Sequence, residues 1–334
     1  MVIVRVLAAA VLVVLALVLL VLAWPSLFDL AGAPIVAQVV ALRGLTSVIA
    51  VLGALVFALV AILWRGGRRF FASLAVIALA FTAINAAVLA SRGFGDERFP
   101  ERAPEELSVL AWNTLGDAPG AAGIAELALE EQSDIIVLPE TSAATAEAAA
   151  VLLRDAGRPM WVYTEAFDQI AIARSTSVLV SAEIGEYDVD RDVGNTTVLP
   201  SIVLRPRGHD GPTIIGVHPV APIPGELANW REDLVWLDSV CRGESTIMAG
   251  DLNATADHFT ATSDGAGLGD CVDAAITTGN GAVGTWPASL PSLLGAPIDH
   301  VLTTPDVTVT GFRVITSRDD AGSDHRPVVA RVLL

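Results

Sequence analysis

The chain has 334 residues, a formal net charge of −17 and no lysine, so all 20 of its basic residues are arginine. That length leaves room for about two domains with a sizeable core, and a mean hydropathy of +0.59 excludes an ordinary soluble protein. The apolar excess lies at the front: up to Ala90 the only acidic residue is Asp29, whereas from Ala103 onward 12 arginines face 33 acidic residues, a net −21 that repels polyanions.

Residues 2–23 form an unbroken apolar run with one charge, Arg5. The run reaches the roughly 20 residues that a bilayer requires and exceeds the roughly 7–15-residue apolar region of a signal peptide; Leu22-Ala23-Trp24 is also a poor cleavage site. Residues 41–64 form a second run, interrupted only by Arg43, and residues 70–90 a third, with Asn85 its only strongly polar side chain. Three such runs in succession predict three transmembrane helices and a membrane domain over residues 1–90. The loop Trp64-Arg65-Gly66-Gly67-Arg68-Arg69 carries three positive charges, and short loops of that kind stay cytoplasmic. The amino terminus is then inside and everything after Ala90 outside, with Arg43 on the wrong side of that count. Residues 91–106 read as a linker, because Gly93, Gly95, Pro100 and Pro104 stand among mixed charges.

Residues 107–334 read as one further domain, in which strand-like and helix-like runs alternate. Strands are expected at 107–112, 134–138, 161–163, 170–174, 177–180, 196–204, 213–217, 245–248, 308–315 and 328–334, and helices at 121–132, 142–156 and 226–240. Many strands with few crossover helices imply sheet packed on sheet with flanking helices, rather than a doubly wound parallel sheet. Cys241 and Cys271 lie in this part. In the oxidising compartment implied by the topology they either form a disulfide or remain two buried thiols.

Polar residues recur just after apolar runs, where layered sheets collect their chemistry. Asn113 by itself reads equally as a turn former. Glu140, after Ile135-Ile136-Val137-Leu138-Pro139, is either a carboxylate at the sheet rim or an acid complementing the dipole of the helix that follows. His218 ends a strand, as a structural histidine or a catalytic one. In Gly250-Asp251-Leu252-Asn253 the glycine permits close backbone approach, and the two polar side chains share one side of an extended chain or close an Asx turn. Asp299-His300 and Asp324-His325 pair a carboxylate with an imidazole, which can fix the tautomer and raise basicity. Both Asp251 and His325 are expected at a cleft rim, where replacing them costs turnover and little stability. Oxygen-rich donors without thiols select Mg²⁺, Mn²⁺ or Ca²⁺ over Zn²⁺.

The ordered set W-N, P-E, H-P, G-D-L-N-A, I-D-H-V and S-D-H-R-P-V, running from about Leu107 to Leu334, resembles the endonuclease/exonuclease/phosphatase superfamily. The resemblance implies a deoxyribonuclease-I-like α/β fold, a four-layer αββα sandwich, here preceded by three transmembrane helices. It also implies hydrolysis of a phosphate ester with Mg²⁺ or Mn²⁺ as cofactor. Residue by residue, Asn113 and Glu140 would hold the metal with Asp324 near it, and Asp251 would orient or activate water. Asn253 and His218 would grip phosphate oxygens, and His325 would act with Asp299 as an acid/base dyad; His300 receives no role. The domain is short for the family, and Arg174, Arg205, Arg207, Arg313, Arg318 and Arg326, the cations nearest these motifs, form no stripe. The expected protein is therefore a multi-pass cell-membrane phosphoesterase with its catalytic domain outside the cytoplasm. Its expected partners are the lipid bilayer and a lipid, glycolipid or other small phosphoester, with no protein partner expected. Nucleic acid is the lesser candidate substrate, since duplex binding relies on cations that neutralise phosphates. The rival readings are an exported nuclease and a non-catalytic membrane-bound binding protein.

Overall fold

The computed structural model describes residues 2–95, 99, 101–168, 170–259 and 267–334. Part of the expected linker, residues 96–98 and 100, lies outside the described residues. The chain divides into two compact units, residues 1–91 and 92–334.

In the first unit, α1 (Val2–Ala23), a short α2 (Val36–Ala41), α3 (Arg43–Leu63) and α4 (Arg68–Arg92) follow one another. Three of these, α1, α3 and α4, are long and apolar enough to cross a membrane, and make the chain a candidate multi-pass membrane protein. Arg43, at the start of α3, donates to the Ala23 carbonyl at the end of α1 (2.9 Å) and to the Asn85 side chain near the end of α4. The two polar groups that interrupt the apolar runs thus satisfy one another inside the bundle, as a membrane interior demands. The contact also fixes direction, with α1 and α4 parallel and α3 antiparallel to both.

The second unit holds two mixed sheets. Its elements are β1 (Leu107–Ala111), α5 (Gly120–Glu130), β2 (Ile135–Pro139), α6 (Ala143–Asp155), β3 (Met160–Ala166), β4 (Ser175–Ser181), β5 (Tyr187–Val189), β6 (Ile202–Pro206), β7 (Thr213–Val217), α7 (Leu227–Val240), β8 (Thr246–Asp251), α8 (Ala256–Phe259), β9 (Gly267–Leu268), β10 (Cys271–Asp273), α9 (Ala274–Thr277), β11 (Asp299–Thr303), β12 (Thr308–Val314) and β13 (Val328–Leu333). One sheet has the order β12-β13-β1-β2-β4-β3 and the other β5-β6-β7-β8-β11-β10-β9.

The alternation of side chains explains the layers. Val109, Ala111, Ile135, Val137, Val178 and Val180 point between the sheets, where Ile214, Ile247, Ala249 and Val301 meet them. Their neighbours Leu110, Trp112, Ile136, Leu138 and Leu179 point the other way, onto Ile124, Leu127, Ala146 and Leu153 of α5 and α6. Strands buried on both faces read as continuous apolar runs, which is why β1, β2, β7 and β8 stand out in the sequence.

Two expected strands and the place of Asp299 differ from the expectation, and of the two readings of the cysteines the bonded one is found. Residues 170–174 make a bend and a 3-10 turn, and only 202–206 of the 196–204 run is a strand, because Asn195 and Thr196 fold back on Ser201 and Leu199 through side-chain hydrogen bonds. The start of β11 carries Asp299 inside the ladder, opposite Asp251, rather than after an apolar run. Cys241, capping α7, is bonded to Cys271 at the start of β10, with Cα atoms 5.8 Å apart.

Candidate active site

Strand direction collects the polar residues at one end of the sandwich. β1 and β2 are parallel, as are β7 and β8, so Asn113, Glu140, His218 and Asp251 all follow or close strands pointing the same way. β11 and β13 are antiparallel to these pairs, so Asp299 opens one strand and Asp324-His325 precede the other at that same end.

Backbone geometry sharpens the placement. Gly250 sits at φ +141°, and a Cβ there would lie 2.2 Å from the Val217 carbonyl oxygen, so only glycine lets β8 pass β7 at this point. Glu140 and Asn253 have φ of 56° and 45°. A non-glycine residue in that left-handed region is strained, and such strain is kept where the side chain's aim matters.

The side chains form one web. The Asn113 amide donates to Glu140 Oε1 (3.1 Å) and Asp251 Oδ2 (3.0 Å), joining the two sheets. His325 Nδ1 and Asp299 Oδ2 are 2.9 Å apart, and His325 Nε2 lies 3.8 Å from Asp251 Oδ2 and 4.0 Å from Asp324 Oδ1. His218 Nε2 lies 3.8 Å from Glu140 and 3.9 Å from Asp251. The backbone N–H of Asn253 donates to Asp251 Oδ1 (2.8 Å), and its side-chain amide donates to the Pro219 carbonyl (3.0 Å) and Asp251 Oδ2 (3.2 Å). All eight predicted positions therefore converge. His300, which receives no role from the sequence, turns away to Asp273.

Burial sets the electrostatics. It lifts Asp251 to about 7 against the pull of His325, and raises Glu140 as well. It drops His218 to about 3, with His325 adding to the fall. For His325 burial works in the same downward sense, but the carboxylates of Asp299 and Asp251 outweigh it and push the imidazole up to about 10. Asp251 and His325 are both buried, which corrects the expectation that they stand at an exposed rim.

Among the described residues, Asp251, Asp299 and His325 have ligand atoms within 4.8 Å of one another, a group able to hold a cation through all three only when His325 has lost its proton. The buried oxygens Asp299 Oδ1 and Asp324 Oδ1 have no hydrogen-bond partner. Unsatisfied carboxylate oxygens beside further oxygen donors fit a hard divalent ion.

Sequence reasoning missed the residues that hold this web in place. Ser323 Oγ donates to the Asn113 carbonyl (2.6 Å) and accepts from the His325 N–H, and Trp112 Nε1 donates to the His325 carbonyl (3.0 Å). Trp286 Nε1 donates to Asp324 Oδ2 (2.9 Å) from a loop 38 residues upstream, a contact that no local pattern announces. Arg326 is also no substrate cation: it is buried and spends its guanidinium on Asp319 and on the carbonyls of Gly284, Ala288 and Leu290. The other five candidate arginines are paired too, Arg174 with Asp168, Arg205 with Asp190, Arg207 with Glu186 and Asp188, Arg313 with Glu131, and Arg318 with Glu126 and Glu130.

Comparison with solved structures finds the same fold. An endonuclease/exonuclease/phosphatase from Beutenbergia cavernae DSM 12333 is 19% identical, with a TM-score of 0.52 over 69% of this chain and 72% of that one. A humanized D. rerio TDP2 is 16% identical, with a TM-score of 0.52 over 69% of this chain and all of its own. An endonuclease/exonuclease/phosphatase from Bacteroides vulgatus is 14% identical, with a TM-score of 0.51 over 69% and 99% of the two chains. No curated protein matches the chain. The model of the Endonuclease/Exonuclease/phosphatase family matches residues 110–325, from within β1 to His325, and the chain belongs to that family.

Proposed function

We propose that this chain is a membrane-anchored, metal-dependent phosphoesterase, with a membrane domain over 1–90, a catalytic domain over 107–334 outside the cytoplasm, and a lipid, glycolipid or other small phosphoester as substrate. The observation that carries the reading is the Asn113 bridge, which ties Glu140 from one sheet to Asp251 from the other beside the His325–Asp299 pair.

Asn113, Glu140 and Asp324 would hold Mg²⁺ or Mn²⁺, which would polarise the phosphoryl oxygen and lower the pKa of bound water. The remaining roles belong to the chain itself. Asp299 holds His325 by its Nδ1, so that Nε2 faces the centre and, being protonated, can give its proton to a leaving oxygen. Asp251 lies between Asn113 and His325, placed to orient and deprotonate a water. His218 is neutral at pH 7 and offers Nε2 to a phosphate oxygen without adding charge. Asn253 would do likewise by exchanging its contact to the Pro219 carbonyl.

Charge supports the choice of substrate. Long polyanions are held by lysine and arginine, and here the distal part carries a net −21 while its six nearest arginines are committed to acids. The test is a turnover screen of the chelator-stripped protein against phospholipids, sugar phosphates, inositol phosphates and nucleic acids, with and without added Mg²⁺ or Mn²⁺. Metal should restore activity; full activity in excess chelator removes the metal mechanism. Turnover of nucleic acid alone makes the chain a nuclease, and turnover of nothing makes it a binding protein. Orientation is tested separately, by a reporter fused after Leu334, which should report from outside the cytoplasm.

A further inference from the structure

We propose that the loops around the catalytic mouth form a rim that contacts hydrocarbon, so that the site takes its phosphoester from an amphiphile whose apolar part rests on that rim. The substrate half of this inference rests on the phosphoesterase reading above.

Two observations point the same way. The first is where large apolar side chains stand exposed. At the end of the sandwich that carries Asn113, Glu140 and His325, the loops expose Leu115, Phe167, Ile170, Ile172, Ile223 and Leu293, with Ile170 93% exposed. At the opposite end of the same strands, the large apolar side chains exposed among the described residues are Trp161 at the start of β3, Val272 on β10 and Leu334, one from each of three separate strands. Scattered surface leucines need no explanation, but concentration around one polar centre does.

The second is charge. From 274 to 298 there is no charged residue, and from 219 to 225 there is none either, in a domain where acids outnumber arginines 33 to 12. Both stretches lead into or out of the mouth, next to Asp299 and His218. Both are set by prolines, Pro219, Pro222 and Pro224 in one and Pro287, Pro291 and Pro297 in the other. Proline lowers the ordering cost of presenting Ile223 and Leu293.

The occupant follows from the side-chain types. Protein interfaces are anchored by Tyr, Trp and Arg. The exposed rim is aliphatic plus one Phe, and Arg174, two residues beyond Ile172, is paired with Asp168. The acidic domain gains nothing from anionic headgroups, so contact falls to hydrocarbon, with the phosphate reaching the polar centre that the rim encircles.

The experiment uses the full chain reconstituted in phosphatidylcholine vesicles. Ile170→Cys, Ile223→Cys and Leu293→Cys are each labelled with bimane; the two native cysteines are bonded to each other and take no label. Lipids with a nitroxide in the acyl chain should quench all three rim labels and leave a label at Glu183→Cys, on the opposite end, unchanged. Rim labels quenched no more than the Glu183 control overturn the proposal, and cross-linking of rim cysteines between copies would reassign the surface to a second chain. The enzyme reading fails separately. Quenching at the rim with no turnover of any phosphoester keeps the hydrocarbon contact and removes the substrate; turnover without quenching removes the rim alone.

Discussion

Asp299-His300 and Asp324-His325 are the same dipeptide, and packing sends their imidazoles to different chemistry. His325 faces the cleft. His300 points inward, with Nδ1 2.9 Å from Asp273 Oδ2 and Nε2 3.0 Å from the carbonyls of both Ala254 and Pro297. Every neighbour is an acceptor, so both ring nitrogens carry hydrogen and the ring is a buried cation. Burial alone would lower its pKa, but the Asp273 carboxylate outweighs that and holds it above the usual 6.5. A raised folded pKa stabilises fully below about 6.5 and loses that contribution as pH climbs through the raised value. His300→Phe should cost about 3–5 kcal/mol at neutral pH by stranding Asp273, and should erase the alkaline loss attributable to this ring; melts across pH would show it, and a variant as stable as wild type at pH 7 refutes the role. Asp251→Asn should behave in the opposite sense. It should lower turnover by about 10²–10⁴-fold while leaving the melting temperature unchanged or higher, because a buried carboxylate near Glu140 and Asp299 is held at a cost to stability. Wild-type turnover would remove Asp251 from the reaction.

At the scale of elements, the sheets were legible wherever strands are buried on both faces, as at 107–112, 134–138, 213–217 and 328–334, since an apolar run there has no other use. The short strands β5, β9 and β10 and the helices α8 and α9 were not, because two to four residues carry no period. The site was legible as a set of motifs at strand ends or strand starts, but Trp286 acts across a loop and leaves no local pattern, and Ser323, although inside the S-D-H-R-P-V motif, gives no local sign of its bond to the Asn113 carbonyl. Residues 92–95 make the same point with an experimental consequence. Read as linker from their glycines, they belong to the second unit: Gly95 N–H donates to the Gly279 carbonyl (3.0 Å), and the Arg92 and Gly93 carbonyls accept from Gly281 and Ala282 (2.9 Å each). Gly93, at φ +81°, has room for no Cβ, which would meet the Gly279 carbonyl oxygen at 2.0 Å. Arg92 grips both oxygens of Asp257, at 2.7 and 2.8 Å, with little of either side chain exposed. Asp257 lies four residues beyond Asn253, so this pair braces the loop that follows Asp251 and carries Asn253. A fragment beginning at residue 96 should therefore be less stable than one beginning at 92, by about the 3–5 kcal/mol of a broken buried pair. Equal denaturation midpoints would show that residues 92–95 contribute nothing to the fold.

For the whole molecule, the open question is what three candidate spans add to a soluble-type hydrolase fold, since one would anchor it. On the phosphoesterase reading proposed above they would hold the enzyme at a membrane, where lipid-linked esters are concentrated, and the net −21 of the distal part disfavours capture of polyanions from solution. The expected outcome is that a phosphoester embedded in a bilayer is hydrolysed faster by the full chain than by a fragment beginning at residue 92, which retains the complete second unit and so separates anchoring from folding. On a water-soluble ester the two should turn over alike. Plasmid DNA should be a poor substrate for both, and raising salt should not rescue it: salt screens the repulsion from the acidic surface but supplies no protein cations to hold the phosphates. Metal-dependent nicking of plasmid at physiological salt, with no hydrolysis of any lipid or glycolipid phosphate, would reverse this ranking: the acids around Asp251 would then serve a nuclease, and the spans would place it where incoming nucleic acid is met.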